Sequence, residues 1–206
     1  DWNEDYEDPN SDVALFLQQE PVGDEAAIVT YMKSLSRAHP PGEVWNYSTG
    51  ETNLIGVLVS EATGKHLADY LSEKIWAPYG MQQDASWLIG PDGLAISGCC
   101  IQATTRDFAR FGQFILEGAE IDGQSILPEG YLESATSRQT GIGDFGYGYG
   151  YQWWITSPEA FDARGIFGQG IFIDPGRKLV IAMNSNWTTA TGYRDDEGRR
   201  RAEFYR

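Results

Sequence analysis

One tyrosine, Tyr47, stands where its hydroxyl group could do chemistry. It lies in the stretch from Pro40 to Gly56, in which the turn Pro40-Pro41-Gly42 excludes helix and an apolar helix follows. A side chain at such a loop-to-helix junction is held by the scaffold and can still face a cleft. The phenol of tyrosine has an ordinary pKa of about 10, so it is a poor base unless nearby cations lower that pKa. The Tyr47 phenol could therefore act as a base only if a cation lies close to it.

The histidines and cysteines offer no alternative catalytic group. His39 lies beside the proline turn and His66 at the start of a predicted helix, positions typical of structural or exposed side chains. Without a close cluster of Cys, His and carboxylate residues, the sequence predicts no metal site, and no cofactor is expected. Cys99 and Cys100 are adjacent, a geometry that rarely permits a disulfide, so two buried free thiols are predicted.

Length and composition indicate one globular domain, or a large part of one. The 206 residues are 41% apolar and 13% aromatic, which is enough to bury a core. The 30 Asp and Glu residues outnumber 15 Lys and Arg, giving a formal charge of −15, which argues against nucleic acid or an anionic membrane surface as a partner. No apolar run has the length of a membrane-spanning segment. The sequence indicates neither the compartment nor the oligomeric state.

Helical patterns dominate the chain up to about residue 140. The predicted helices are Asp24–Arg37, about Thr52–Thr63, His66–Trp76, one with Asp107 in its first turn, and one beginning near Pro128. Thr49 or Thr52 can cap the second of these helices, which Gly64 stops. Thr104 or Thr105 can cap the helix that contains Asp107.

The pattern then changes to that of strands. Three strands and a closing helix are predicted, at Tyr147–Ile155, Gly165–Asp174, Lys178–Ser185 and Glu197–Arg206. The short connections predict an antiparallel meander. Helices followed by such a meander fit an α+β fold, with residues 1–140 as a mainly helical lobe and residues 141–206 as strands and a closing helix of one partial domain.

A run of spaced motifs resembles the serine β-lactamase and penicillin-binding-protein-like hydrolases. The matching residues are Tyr47-Ser48-Thr49, Gly64-Lys65, Tyr70-Leu71 and Ile75-Trp76-Ala77-Pro78-Tyr79-Gly80-Met81. Within that superfamily the chain resembles the class C-like esterases and the 6-aminohexanoate-dimer hydrolases, from Asp5-Tyr6 to about Trp187. The resemblance implies the C-terminal part of a β-lactamase/transpeptidase-like fold, in which a helical lobe packs on an antiparallel sheet.

The resemblance also implies a mechanism built on three elements. A serine in a Ser-x-x-Lys motif is the nucleophile, a Tyr or Ser on a neighbouring loop assists it, and a strand-edge N–H helps to bind the oxyanion. Tyr47 matches the second element, which implies that it is the general base. The chain contains no Ser-x-x-Lys; in the family this motif precedes the segment matched by Tyr6, so we expect it upstream of Asp1 and expect the chain alone to be inactive. Tyr6 borders the cleft in this comparison and is a candidate substrate contact.

The third element is present in altered form. The family's Lys-Thr-Gly or His-x-Gly falls on Ala163-Arg164-Gly165, so the N–H of Ile166 would bind the oxyanion and Gly165 would let the substrate approach the strand edge. Ala163 lacks the cation that would bind a substrate carboxylate, and strand alternation directs Arg164 to the other face. Gln169 is a further candidate for lining the pocket.

These features predict part of a serine hydrolase acting through an acyl-enzyme on a small ester or amide. Thr49 replaces the Asn usual in β-lactamases, which together with Ala163 favours an esterase or amidase over a β-lactamase proper. One alternative is a non-catalytic penicillin-binding-like relative, and an upstream Ser-x-x-Lys would decide against it. Another is a carbohydrate-binding module that uses an aromatic strip within Tyr147–Ile155.

Overall fold

The computed structural model describes residues 2–143, 147–192 and 196–206, which form two compact units. The first unit comprises Asp1–Trp76 and Ala85–Gln102, and the second comprises Ala77–Asp84 and Ala103–Arg206. Helices and antiparallel sheets together confirm the predicted α+β class. The assignment of the chain to one partial domain stays a prediction.

The first unit is mainly helical. Its helices are α1 (Asp12–Leu15), α2 (Ala27–Ser34), α3 (Thr49–Thr63) and α4 (Leu67–Leu71), with a 3-10 turn at Phe16–Gln18 and a π-helical turn at Ser72–Trp76. Two short antiparallel strands accompany them, β1 (Ser86–Trp87) and β2 (Ile101–Gln102). The buried apolar side chains that form its core are Trp2, Val13, Phe16, Ile28 and Ile96.

Helix α3 is the element that positions Tyr47. Its N-cap is Ser48, whose hydroxyl accepts a hydrogen bond at 3.1 Å from the backbone N–H three residues further on. The prediction that Thr49 or Thr52 is the cap is wrong, because the helix already begins at Thr49. Gly64 ends the helix as predicted, in the left-handed conformation that glycine adopts without cost.

Cys99 and Cys100 are bonded to each other, so the prediction of two buried free thiols is wrong. Cys99 is exposed and Cys100 is half-buried. The backbone of Cys100 is left-handed, with a φ of 82°, and the preceding Gly98 donates its N–H to Oδ1 of Asn53 at 3.2 Å. The rule that adjacent cysteines rarely form a disulfide does not take such a sharp backbone turn into account.

The second unit is built around an antiparallel sheet. Its helices are α5 (Thr105–Leu116), α6 (Tyr131–Ala135) and α7 (Glu197–Phe204), and its separate hairpin is β3 (Glu120–Ile121) with β4 (Gln124–Ser125). The five-stranded sheet contains β5 (Gly148–Tyr149), β6 (Trp154–Ile155), β7 (Phe161–Arg164), β8 (Gly170–Asp174) and β9 (Leu179–Met183). The strands are adjacent in sequence order, which confirms the predicted meander.

Helix α5 covers strands β8 and β9. Its N-cap is Thr104, as predicted, and the Thr104 hydroxyl accepts from the N–H of Asp107 at 3.1 Å. Gly112 lies against Ile171 and Val180, where a Cβ would come within 2.7 Å of both side chains. The missing side chain therefore allows the helix to approach the sheet closely.

The predicted strand Tyr147–Ile155 is wrong, because this segment is the hairpin of β5 and β6. The chain reverses where Gly150 donates its N–H to the carbonyl of Trp153 at 2.8 Å and Gln152 takes a φ of 64°. Its rings form the pairs Tyr149 with Trp154, Trp153 with Phe161, and the exposed Tyr151 with Tyr131. The reversal divides the segment between two strands, so the four aromatic residues do not line one strand face as the carbohydrate-binding alternative assumed, although Tyr147 and Tyr151 are exposed.

Candidate active site

Tyr47 lies directly before the N-cap of α3 and is half-buried. Its pKa is raised, first by burial and then by the negative charge of Glu4, while a hydrogen bond with Tyr6 acts in the opposite direction. The described residues that act on this phenol therefore keep it neutral. A role as base requires a positive charge that these groups do not provide.

Tyr6 and Tyr47, two side chains that the sequence analysis selected separately, influence each other's ionisation in the structure. The hydroxyl of Tyr6 donates a hydrogen bond to Oε1 of Glu4 at 2.6 Å. Burial raises the pKa of Tyr6, and the Glu4 carboxylate raises it further. Tyr6 is thus fixed beside the candidate base as a protonated phenol.

Glu4 is the residue of this cluster that sequence analysis missed. Its carboxylate accepts hydrogen bonds from Tyr6, from the indole N–H of Trp2, and from both the backbone N–H and the hydroxyl of Thr49. The backbone bond, at 3.0 Å, satisfies a free N–H at the start of α3, where the helix dipole favours a negative charge. Glu4 therefore ties the Tyr6 segment to the helix that carries Tyr47.

Residues 165–169 form a tight turn after β7, so the prediction of a strand beginning at Gly165 is wrong. The N–H of Gly165 donates to the carbonyl of Gln169 at 3.0 Å, and β8 begins only at Gly170. Phe167 has a left-handed backbone with a φ of 59°. The N–H of Phe167 donates to the carbonyl of Ala190 at 2.8 Å. The carbonyl of Phe167 accepts a hydrogen bond from the N–H of Trp187 at 3.2 Å. Both the N–H and the carbonyl of Phe167 are therefore hydrogen-bonded, which holds the turn in place.

Ile166 lies in this turn and is 41% exposed. Strand β6 pairs with β7 only as far as Asp162. Among the described residues, Ala163 and Arg164 therefore pair with β8 on one side, and the other edge of β7 is open there. The backbone N–H of Ile166 has no acceptor in the described part of the chain. A backbone donor without a protein acceptor, beside an open strand edge, is what an oxyanion-binding group requires.

Gly165 and Gln169 are in contact with each other. A Cβ on Gly165 would lie 2.9 Å from the Cβ of Gln169, so the turn itself requires glycine whether or not a substrate approaches. The side-chain Oε1 of Gln169 is buried and accepts no hydrogen bond within the ranges described above. A buried acceptor of this kind is available to a donor from a ligand or from another segment.

Arg164 does not replace the cation missing at Ala163. Its Nε donates to both carboxylate oxygens of Asp162, at 2.9 and 3.0 Å, and its guanidinium lies 4.7 Å from the ring centre of Trp154. Burial raises the pKa of Asp162, and Arg164 opposes that shift. Because residues 162 and 164 share one strand face, the predicted alternation holds and Arg164 points away from the face of Ala163.

Two features are absent from the described residues. No group of three His, Cys, Asp or Glu side chains is arranged there to hold a metal ion. None of the helices found in those residues has the length and apolar character needed to cross a membrane.

The chain belongs to the beta-lactamase family, whose pattern it matches over residues 3–206. It is 29% identical over 203 residues to the 6-aminohexanoate-dimer hydrolase of Paenarthrobacter ureafaciens, covering 91% of this chain and 52% of that protein. These findings confirm the family that the motifs indicated.

Solved structures agree with this assignment. A putative 6-aminohexanoate-dimer hydrolase from Bacillus anthracis superposes with a TM-score of 0.72 at 30% identity, covering 86% of this chain and 48% of that one. A penicillin-binding protein homologue from Caulobacter crescentus shares the fold, with a TM-score of 0.63 at 16% identity over 90% of this chain and 68% of that one. The chain thus spans about half the length of the 6-aminohexanoate-dimer hydrolases that it matches.

Proposed function

We propose that the chain is the C-terminal portion of a serine hydrolase that cleaves a small ester or amide through an acyl-enzyme. With Tyr47 ionised beside a cation, a serine supplied by another part of the polypeptide passes its hydroxyl proton to the Tyr47 phenolate as the serine oxygen attacks the substrate carbonyl carbon. The carbon–oxygen or carbon–nitrogen bond then breaks, and the leaving alcohol or amine takes up a proton. Water hydrolyses the resulting ester and regenerates the serine.

The observation that carries this proposal is the position of Tyr47. It precedes the cap of a well-formed helix, is half-buried, and belongs to the Tyr-Ser-Thr motif by which the chain resembles its family. Its raised pKa means that a cation must come from outside the described groups. A lysine one helical turn from the serine, as in Ser-x-x-Lys, is the residue type that would supply it.

The backbone N–H of Ile166 is the proposed oxyanion donor. Removing one such donor typically costs about 2.7–4 kcal/mol of transition-state stabilisation. Gly165, Gln169 and Tyr6 are the proposed substrate contacts. Because Arg164 is bound to Asp162 and Ala163 is uncharged, neither side chain offers a free cation, which favours substrates without a carboxylate at this position.

The test is ester hydrolysis by a longer protein that contains this chain together with its upstream coding sequence. Replacing Tyr47→Phe should lower turnover of a p-nitrophenyl ester by about 10²–10⁴-fold, because the proton acceptor is lost. Tyr79→Phe is the matched control, since Tyr79 donates to Glu117 at 2.7 Å in the second unit and has no assigned role. The 206-residue chain alone should show no turnover.

Unchanged turnover in the Tyr47→Phe protein would exclude this residue from the mechanism. Absence of turnover in the longer wild-type protein, combined with absence of an upstream Ser-x-x-Lys, would instead support the non-catalytic alternative.

A further inference from the structure

We propose that Cys99 and Cys100 form a thiol–disulfide exchange site, which a dithiol reductant opens and which holds the turn at residues 96–100 in the first unit. These are the only two cysteines in the sequence, and they are bonded to each other. The inference goes beyond the proposed function and does not rest on it, because the proposed hydrolysis uses neither cysteine.

The sulfur of Cys99 is the one that a reductant can reach. Cys99 is exposed, whereas Cys100 is half-buried. A thiolate of the reductant attacks Sγ of Cys99, the bond between the two protein sulfurs breaks, and the departing Cys100 sulfur takes up a proton. The second thiolate of the reductant then attacks the reductant's own sulfur in this mixed disulfide and releases Cys99, which is protonated in turn. One dithiol is thereby oxidised to a disulfide, and one protein disulfide is reduced to two thiols.

The adjacency of the two cysteines determines which class of reductant succeeds. In the mixed disulfide the Cys100 thiolate lies one residue from Cys99, so it can attack the Cys99 sulfur again and reclose the protein bond. A monothiol needs a second molecule to compete with this reclosure. A dithiol carries its second thiol in the same molecule, where its effective concentration is high. The site therefore favours dithiols.

The disulfide constrains a backbone conformation that cysteine does not adopt readily. Cys100 has a φ of 82°, and a non-glycine residue keeps such a left-handed backbone only where the surrounding structure imposes it. The bond to Cys99 is a covalent part of that constraint. Once this bond is broken, Cys100 loses the constraint and the turn relaxes toward ordinary negative φ values.

The turn is attached to two other parts of the first unit. The indole N–H of Trp87 donates to the carbonyls of Ile96 and Cys99, at 3.0 and 2.9 Å. The N–H of Gly98 donates to Oδ1 of Asn53 in helix α3 at 3.2 Å. Reduction therefore alters a turn that contacts α3, and the indole of Trp87 reports the change.

The first measurement counts free thiols in the folded 206-residue chain. Dithiothreitol is added in native buffer, and iodoacetamide followed by mass spectrometry counts the thiols. We expect none before reduction and two per chain after it. Reduced glutathione at the same thiol concentration should give a ratio of reduced to oxidised chain that is about 10²-fold smaller, because reclosure by Cys100 wins.

The second measurement follows the indole N–H of Trp87 by ¹⁵N NMR, with Trp87→Phe assigning its signal. Dithiothreitol should shift this signal, and reoxidation with diamide should restore it. The signal of Trp153, which packs against Phe161 in the second unit, is the internal control and should not move.

Two double variants test the backbone constraint. Both carry Cys99→Ser, combined with either Cys100→Ser or Cys100→Gly, so neither can form the disulfide. Only glycine adopts a left-handed backbone without steric cost. The variant with Cys100→Gly should therefore keep the Trp87 signal of the oxidised chain, and the variant with Cys100→Ser should show that of the reduced chain.

Free thiols before reduction, thiols released by dithiothreitol only in urea, or an unshifted Trp87 signal in the reduced chain would overturn the inference. Equal reduction by glutathione, or the same Trp87 signal in both double variants, would also overturn it. If a double variant does not fold, the wild-type chain decides: a reversible Trp87 shift supports the inference, and no shift refutes it. None of these measurements involves ester turnover, so failure of the proposed function appears only in the hydrolysis assay.

Discussion

Replacing Gly168→Ala should destabilise the second unit far more than an alanine at a nearby open glycine. Gly168 is buried in the turn that follows β7 and has a φ of 90°, a conformation that L-residues rarely adopt. A Cβ there would lie 2.5 Å from Nε1 and 2.7 Å from Cδ2 of Trp187. Both the backbone and the indole ring must therefore move to admit one methyl group.

The magnitude follows from these two costs. A left-handed backbone costs an L-residue about 1–2 kcal/mol. Overpacking against a rigid ring typically costs about 1–3 kcal/mol. Together they predict a loss of about 2–5 kcal/mol in the free energy of unfolding. For Gly176→Ala the nearest atom is Asp174 Oδ1 at 3.4 Å and φ is not left-handed, so the effect should be a gain of at most about 1 kcal/mol.

Urea unfolding followed by tryptophan fluorescence and circular dichroism measures both variants. The ring of Trp187 touches the substituted position, so fluorescence should also show a local change in Gly168→Ala before unfolding begins. Equal unfolding midpoints for Gly168→Ala and Gly176→Ala would refute the reasoning, because only the first variant carries the backbone and ring costs.

Two carboxylates allow further predictions. Asp107 accepts hydrogen bonds from the Thr104 hydroxyl at 2.8 Å and from the N–H of Gln82 at 2.7 Å. In Asp107→Asn the side-chain NH₂ faces one of these donors, so the free energy of unfolding measured in urea should fall by about 1–3 kcal/mol. A loss below the experimental error would contradict this account. Asp174 is the second case: burial tends to raise its pKa, but hydrogen bonds and the charge of Arg177 outweigh burial and lower it. A lowered pKa in the folded state stabilises the protein above the ordinary pKa of about 4, and this contribution is lost as the pH falls toward the folded pKa. Asp174→Asn should therefore flatten the decline in unfolding free energy between about pH 5 and pH 3, and an unchanged slope would exclude Asp174 as its source.

The family, the α+β class and the main helices could be predicted from the sequence because each rests on local signals. Gly64 is the C-cap of helix α3 and Thr104 is the N-cap of helix α5, as their residue types indicate. The meander followed from short connections between strands. Such signals lie within a few residues of the feature that they determine.

Apart from the N-cap of α3, where Ser48 caps one residue earlier than predicted, the errors arose where the backbone takes an unusual conformation or where the partners are distant in sequence. Gln152 and Cys100 both have positive φ, which residue type does not reveal, and each lies at a feature that was predicted wrongly. Glu4 was missed because its bond to Thr49 spans 45 residues. No local pattern distinguishes this glutamate from the other acidic residues near the start of the chain.

The turn after β7 is fixed by main-chain hydrogen bonds on both flanks of Ile166. Since the bonds at Gly165 and Phe167 use backbone atoms, the N–H between them keeps its direction whatever side chain the intervening residue carries. If this N–H binds the oxyanion as we propose, substitutions of Ile166 reshape the apolar surface beside the donor while the donor stays in place. Under the proposed mechanism, selection for different acyl groups at this position would change substrate recognition and leave the oxyanion donor intact.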